Sequence, residues 1–115
     1  MLTVTGAQVP AVVAARASSG PPEDWTGREA PVEGFVLIPD HIDPTNPRRV
    51  YDLAHRAERK YLYEVVLVDG TRTDINRLIA PTILVDLWDG LYLPSTVRSA
   101  WVTTIDTIKT SAHRR

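Results

Sequence analysis

The chain has 115 residues, 43% of them apolar and 23% charged, with a formal net charge of −1 and a pI near 6.3. That length supports at most one domain, the composition is that of a globular chain, and the charge excludes the strongly basic class of nucleic-acid binders. No cysteine is present, which excludes disulfide frameworks, thiolate nucleophiles and thiolate zinc sites and makes the reducing cytosol the expected compartment.

Charge is unevenly spread. Residues 1–46 carry Arg16 and Arg28 against six acids, a net of −4, while residues 47–115 carry eleven Lys/Arg against eight acids, a net of +3. The opening MLTVTGAQVPAVVAARASSG has an apolar run but no Lys or Arg before Arg16, the wrong order for a secretory signal. No stretch reaches the roughly 18 apolar residues of a membrane span, so an intracellular, soluble protein is expected. Seven of the nine prolines and four of the six glycines lie within residues 1–47, and such punctuation cannot sustain long regular elements. Residues 1–46 therefore read as an extended N-terminal arm. Within it, Pro10–Ala17 suits a short helix, Ser18–Gly27 a turn-rich linker and Gly34–Pro39 (GFVLIP) a short strand or extended strip. The apolar residues of that strip, Phe35 among them, and Trp25 mark an arm that docks on something.

A helical domain is predicted over 47–115. Its first helix spans 47–69: Pro47 suits the first turn, Gly70 the left-handed position past the end, and Val50, Ala54, Ala57, Tyr61, Val65 and Val68 form an inward stripe. Arg49, Asp52, Arg56, Arg59 and Lys60 fall on the other side. Three more helices follow, at 72–79 with Thr71 or Thr73 as N-cap, at 82–89, and at 95–109, where Val97, Trp101, Ile105 and Ile108 make the stripe. The fold class is thus mainly α, a small bundle of about four helices behind an arm. The alternative is α+β, with short hairpins at the Asp-Gly dipeptides 69–70 and 89–90, because that dipeptide between apolar runs is a strong hairpin signal.

Two groups of residues have the types that chemistry uses. Asp52, His55 and Glu58 stand at i, i+3 and i+6, yet face away from the apolar stripe and lack partners on a facing helix, so a solvated face with local ion pairs is the expected reading. Asp40, His41 and Asp43 set two carboxylates beside an imidazole, and the simpler reading is a turn that caps the following helix. No phosphate loop, nucleophile elbow or HExxH occurs. A non-enzymatic protein with no cofactor, metal or small-molecule substrate is expected.

Binding residues are better represented. Arg48, Arg49, Arg56, Arg59 and Lys60 form a basic face that can lie along phosphates or an acidic protein surface, although the helix at 82–89 has no side chain suited to reading bases. Trp88, Tyr92 and Trp101 suit packing between the last two helices. Together with Trp25 and Phe35 they are also the candidate anchors for a protein partner.

The run Tyr61–Trp101, with G-T-x-x-D-I at Gly70–Ile75, L-x-x-L-W at Leu84–Trp88 and L-P-x-x-V-R-x-A-W at Leu93–Trp101, resembles small uncharacterised actinobacterial proteins encoded beside nucleotidyltransferase-type toxins of the abortive-infection kind. The resemblance covers about a third of the chain and implies a non-catalytic partner or regulatory role, with no catalytic residue carried over. The expected function is a protein-binding or regulatory module, antitoxin-like. Its alternatives are a structural component of a phage or other assembly laced by the arm, located in the virion if phage-encoded, and a nucleic-acid backbone binder. A protein partner or self-association is expected, and no membrane.

Overall fold

The computed structural model describes residues 20–39, 41–42 and 50–113. The candidate helix at Pro10–Ala17 and the residues Asp40, Asp43, Arg48 and Arg49 lie outside them. The fold is mainly α with one small antiparallel strand pair. In chain order the elements are β1 (Phe35–Leu37), β2 (Val50–Asp52), α1 (Arg56–Asp69), α2 (Arg72–Leu78), α3 (Pro81–Leu87), a 3-10 turn at Trp88–Gly90, and α4 (Ser95–His113).

The helix predicted from residue 47 starts instead at Arg56, a correction with a local cause. Val50 and Tyr51 are residues that favour a pleated, half-buried surface, and pairing with β1 buries Tyr51 completely. Asp52 then stops a helix from running through it. Its side-chain carboxylate accepts from the Ala54 N–H (2.9 Å), its carbonyl from the His55 N–H (3.1 Å), and its own N–H donates to Glu58 Oε1 (2.8 Å). Such short-range bonds offer the backbone an alternative to the helix. The inward stripe shifts as a result. α1 buries Leu62, Tyr63, Val66 and Leu67, while Ala57 and Tyr61 are exposed, because four large neighbours one turn apart outcompete a stripe that began outside the helix.

The remaining helices follow the sequence closely. Thr71 caps α2 in a full capping box: its hydroxyl accepts from the Asp74 N–H (3.2 Å) and its N–H donates to Asp74 Oδ2 (2.8 Å). Pro81 opens α3 at the first position, where its missing N–H leaves nothing unpaired. Neither Asp-Gly dipeptide makes a hairpin. Asp69 ends α1 and Gly90 ends the 3-10 turn. Gly70 is extended, not left-handed, and it is buried against the Val66 carbonyl.

The strand pair forms between the N-terminal segment and the region before α1, with Phe35 opposite Asp52, Val36 opposite Tyr51 and Leu37 opposite Val50. Val36, Ile38 and Ile42 enter one core with Tyr51, Leu62, Tyr63, Leu67, Ile75, Leu84, Trp101 and Ile105. Upstream, Trp25 donates from Nε1 to the Ile79 carbonyl (3.0 Å) and meets Trp101 edge-on at 5.2 Å. Residues 20–30 thus form a strap across the α2–α3 junction and α4.

Tyr63 ties that junction to α1, its buried hydroxyl oxygen accepting from the Ala80 N–H at 2.9 Å. Burial pushes its pKa up to about 12, against the opposing pull of the Ala80 N–H and of Arg59. A raised folded-state value stabilises the fold fully below the ordinary tyrosine value of about 10, and that contribution is lost as pH rises toward 12. Urea titrations from about pH 8 upward should show stability falling by an amount on the order of 2–3 kcal/mol across this window. Tyr63→Phe should lose about 1 kcal/mol at neutral pH, where the Ala80 N–H is left unpaired, and then fall less steeply above pH ~10. Parallel alkaline slopes in the two proteins would remove Tyr63 as the cause.

Candidate protein-binding face

The basic residues are largely engaged within the fold. Arg56 Nη1 donates to Asp86 Oδ2 (3.0 Å), and Arg59 Nη1 donates to the Leu53 carbonyl (2.8 Å). Lys60 donates to Glu64 Oε2 (2.8 Å) while its Nζ lies 4.3 Å from the centre of the Tyr92 ring. The structure therefore gathers these three around Leu53, Glu64, Asp86 and Tyr92 instead of arraying them as a free stripe. The histidine groups are also locally spent. His55 Nε2 lies 3.4 Å from Asp52 Oδ2 at the start of α1. His41 Nε2 lies 2.6 Å from Asp74 Oδ2, the oxygen that also closes the α2 capping box. Among the described residues no group of three or more His, Asp and Glu is arranged to hold a metal ion.

The aromatic candidates divide in two. Trp88 and Trp101 are buried and Trp25 is half-buried against Trp101. Arg98 covers Trp88, its guanidinium carbon 4.6 Å from the ring centre. Phe35 and Tyr92 are exposed, at 74% and 82%. Tyr92 is nonetheless held in place, since its N–H donates to Glu64 Oε2 (2.7 Å) and its ring packs on Lys60.

Phe35 does not stand alone. In an antiparallel pair, residues directly opposite share a face and successive residues alternate. Phe35, Leu37 and Val50 therefore lie together on the outer face of the strand pair, with Asp52 opposite Phe35, and Val36 and Tyr51 lie on the inner one. Leu37 is 57% and Val50 50% exposed. A strand pair with one face on the core normally turns polar residues outward; here three of the four outward residues are apolar and only Asp52, opposite Phe35, is charged. The signal for it is present in GFVLIP as a run of apolar residues without alternation, but Val50 also fits the helical stripe that continues to Val68, and nothing local pairs it with Leu37.

Beside Leu37 lies a half-open cavity of about 430 Å³, lined by Leu37, Pro39 and Glu29 on one side and Asp74, Arg77 and Leu78 of α2 on the other. A second cavity of about 570 Å³ shares Glu29 and Arg77 with it and extends along the strap past Asp24, Thr26 and Arg28. Glu29 and Arg77 were not among the sequence candidates. Nothing in the local sequence links positions 48 residues apart, and only docking of the strap on α2 brings them to one groove. Asp74 sits at its base with 8% of its side chain exposed, anchored by His41. Among the described residues no helix is long and apolar enough to cross a membrane. No protein-family model matches the chain, and no curated protein or solved structure matches it either.

Proposed function

We propose that the chain is a non-catalytic protein-binding module, an antitoxin-like regulatory partner of a toxin, which engages its partner through the outer face of the strand pair. The observation that supports this reading is the contiguous exposure of Phe35, Leu37 and Val50 on an ordered element whose other face is already buried. Apolar patches of this kind on a small domain mark interaction sites, and an aromatic held on a rigid strand binds at low entropic cost. The nucleic-acid alternative has less support, because Arg56, Arg59 and Lys60 each have an acceptor inside the fold. Tagged chain purified from its native host should bring down a stoichiometric protein partner. Phe35→Asp combined with Val50→Asp should lose that partner while keeping the wild-type helical spectrum. Recovery of the wild type as a lone monomer would overturn the reading.

A further inference from the structure

We infer that the partner is captured by strand addition: an extended segment of the partner pairs with the outer edge of β1 and lays one side chain into the cavity between Leu37 and α2. This inference rests on the protein-binding reading and gives it a mode. The Leu53 N–H donates to the Gly34 carbonyl at 2.8 Å, which makes Gly34 and Leu53 a hydrogen-bonded pair of the ladder. Hydrogen-bonded and non-bonded pairs alternate in an antiparallel ladder, so Val36 and Tyr51 are the next bonded pair. The backbone N–H and C=O groups of Phe35 and Leu37 consequently point away from β2, and no described residue bonds them.

The two edges of the pair are not equivalent. On β2 one of the two outward N–H groups, that of Asp52, is capped by Glu58 Oε1. On β1 the outward series is Phe35, Leu37 and Pro39, and Pro39 has no N–H to offer, so the edge that the described residues leave unbonded ends there. A short stop of this kind limits runaway sheet growth while leaving two residues of edge for a partner. Across the cavity from Leu37 and Pro39 stand Asp74, Arg77 and Leu78 of α2. The occupant that matches an outward backbone edge beside the exposed apolar Phe35 and Leu37 is a short strand with alternating apolar residues. On one side these meet Phe35 and Leu37 as cross-strand pairs. Backbone bonds supply affinity, and the cavity, walled by Leu37, Pro39 and Leu78 with Glu29 and Arg77 beside them, supplies selectivity.

The test is amide hydrogen exchange followed by NMR on the full chain, with a synthetic peptide of alternating valine and threonine, lysine at both ends and blocked termini as the probe. Saturating peptide should slow exchange at the Phe35 and Leu37 amides by about tenfold or more, with little change at Val36, whose N–H is already in the ladder. Leu37→Pro removes an outward N–H without touching a ladder bond and should abolish this protection, whereas Leu37→Ala keeps the N–H and should retain most of it. Peptide binding that leaves both amides fast, or no binding to a folded wild type, would overturn strand addition. Concentration-dependent protection of the same amides without peptide would overturn it in favour of a second copy. Neither result touches the co-purified partner, whose presence or absence decides the protein-binding reading by itself.

Discussion

Trp101→Ala is expected to cost about 3–5 kcal/mol, the range for deleting a large aromatic from a packed core. The side chain is fully buried, and it is where the two halves of the molecule meet: α4 presents it, the core receives it, and Trp25 of the strap packs edge-on against it. Truncation therefore opens a cavity and also removes the surface that orients Trp25. For a domain whose total stability is on the order of 5–15 kcal/mol, that is a large fraction, and the melting temperature should fall by roughly 10 °C or more. Trp101→Phe keeps most of the volume and should lose far less. Its indole Nε1 has no hydrogen-bond partner among the described residues, so phenylalanine gives up little polar interaction there. Near-equal melting temperatures for the alanine and phenylalanine variants would show that Trp101 does not carry the junction.

The parts of this fold that the sequence made legible are those with local causes. Thr71 is one of two candidate N-caps for α2, Pro81 marks where that helix stops, and Val97, Trp101 and Ile105 announce α4 by spacing alone. The strand pair was not legible because its partners are up to 17 residues apart, from Phe35 to Asp52, and neither strand has a turn signal that points to the other. Val50 and Ala54 fit a helical stripe as well as Val50 and Tyr51 fit a strand; what decides is the surface Tyr51 buries against residues far along the chain. The same non-local choice hid the candidate face, since Leu37 and Val50 become neighbours only in the pair. Phe35 and Tyr92 were recognisable as anchors by residue type. Trp88 and Trp101 were equally recognisable and are core, because residue type alone does not separate a hot spot from a buried ring.

The strap makes the strongest demand on a single backbone position, and Gly27→Ala should detach it. Gly27 has φ +72, in the region that costs an L-residue roughly 1–2 kcal/mol. A methyl group there would also overlap Pro81 Cδ and lie 2.8 Å from the Ile79 carbonyl, the same oxygen that accepts from Trp25 Nε1. Neither neighbour can yield cheaply, since Pro81 is the first residue of α3 and Ile79 caps α2. The strap must move, and with it go the Trp25 hydrogen bond, the Trp25–Trp101 contact and the position of Glu29 on both cavities. A loss on the order of 3 kcal/mol is expected, combining strain, overpacking and one hydrogen bond. Gly34 separates the causes. It too has positive φ, +90, but a Cβ there meets nothing within 4 Å, so Gly34→Ala should bear only the strain of about 1–2 kcal/mol. Equal destabilisation of the two variants in urea would mean that the strap is not seated on Pro81. A larger loss at Gly27, with Trp25 fluorescence shifting toward that of a solvated indole, would show that the strap is held there by its seat on Pro81 and Ile79.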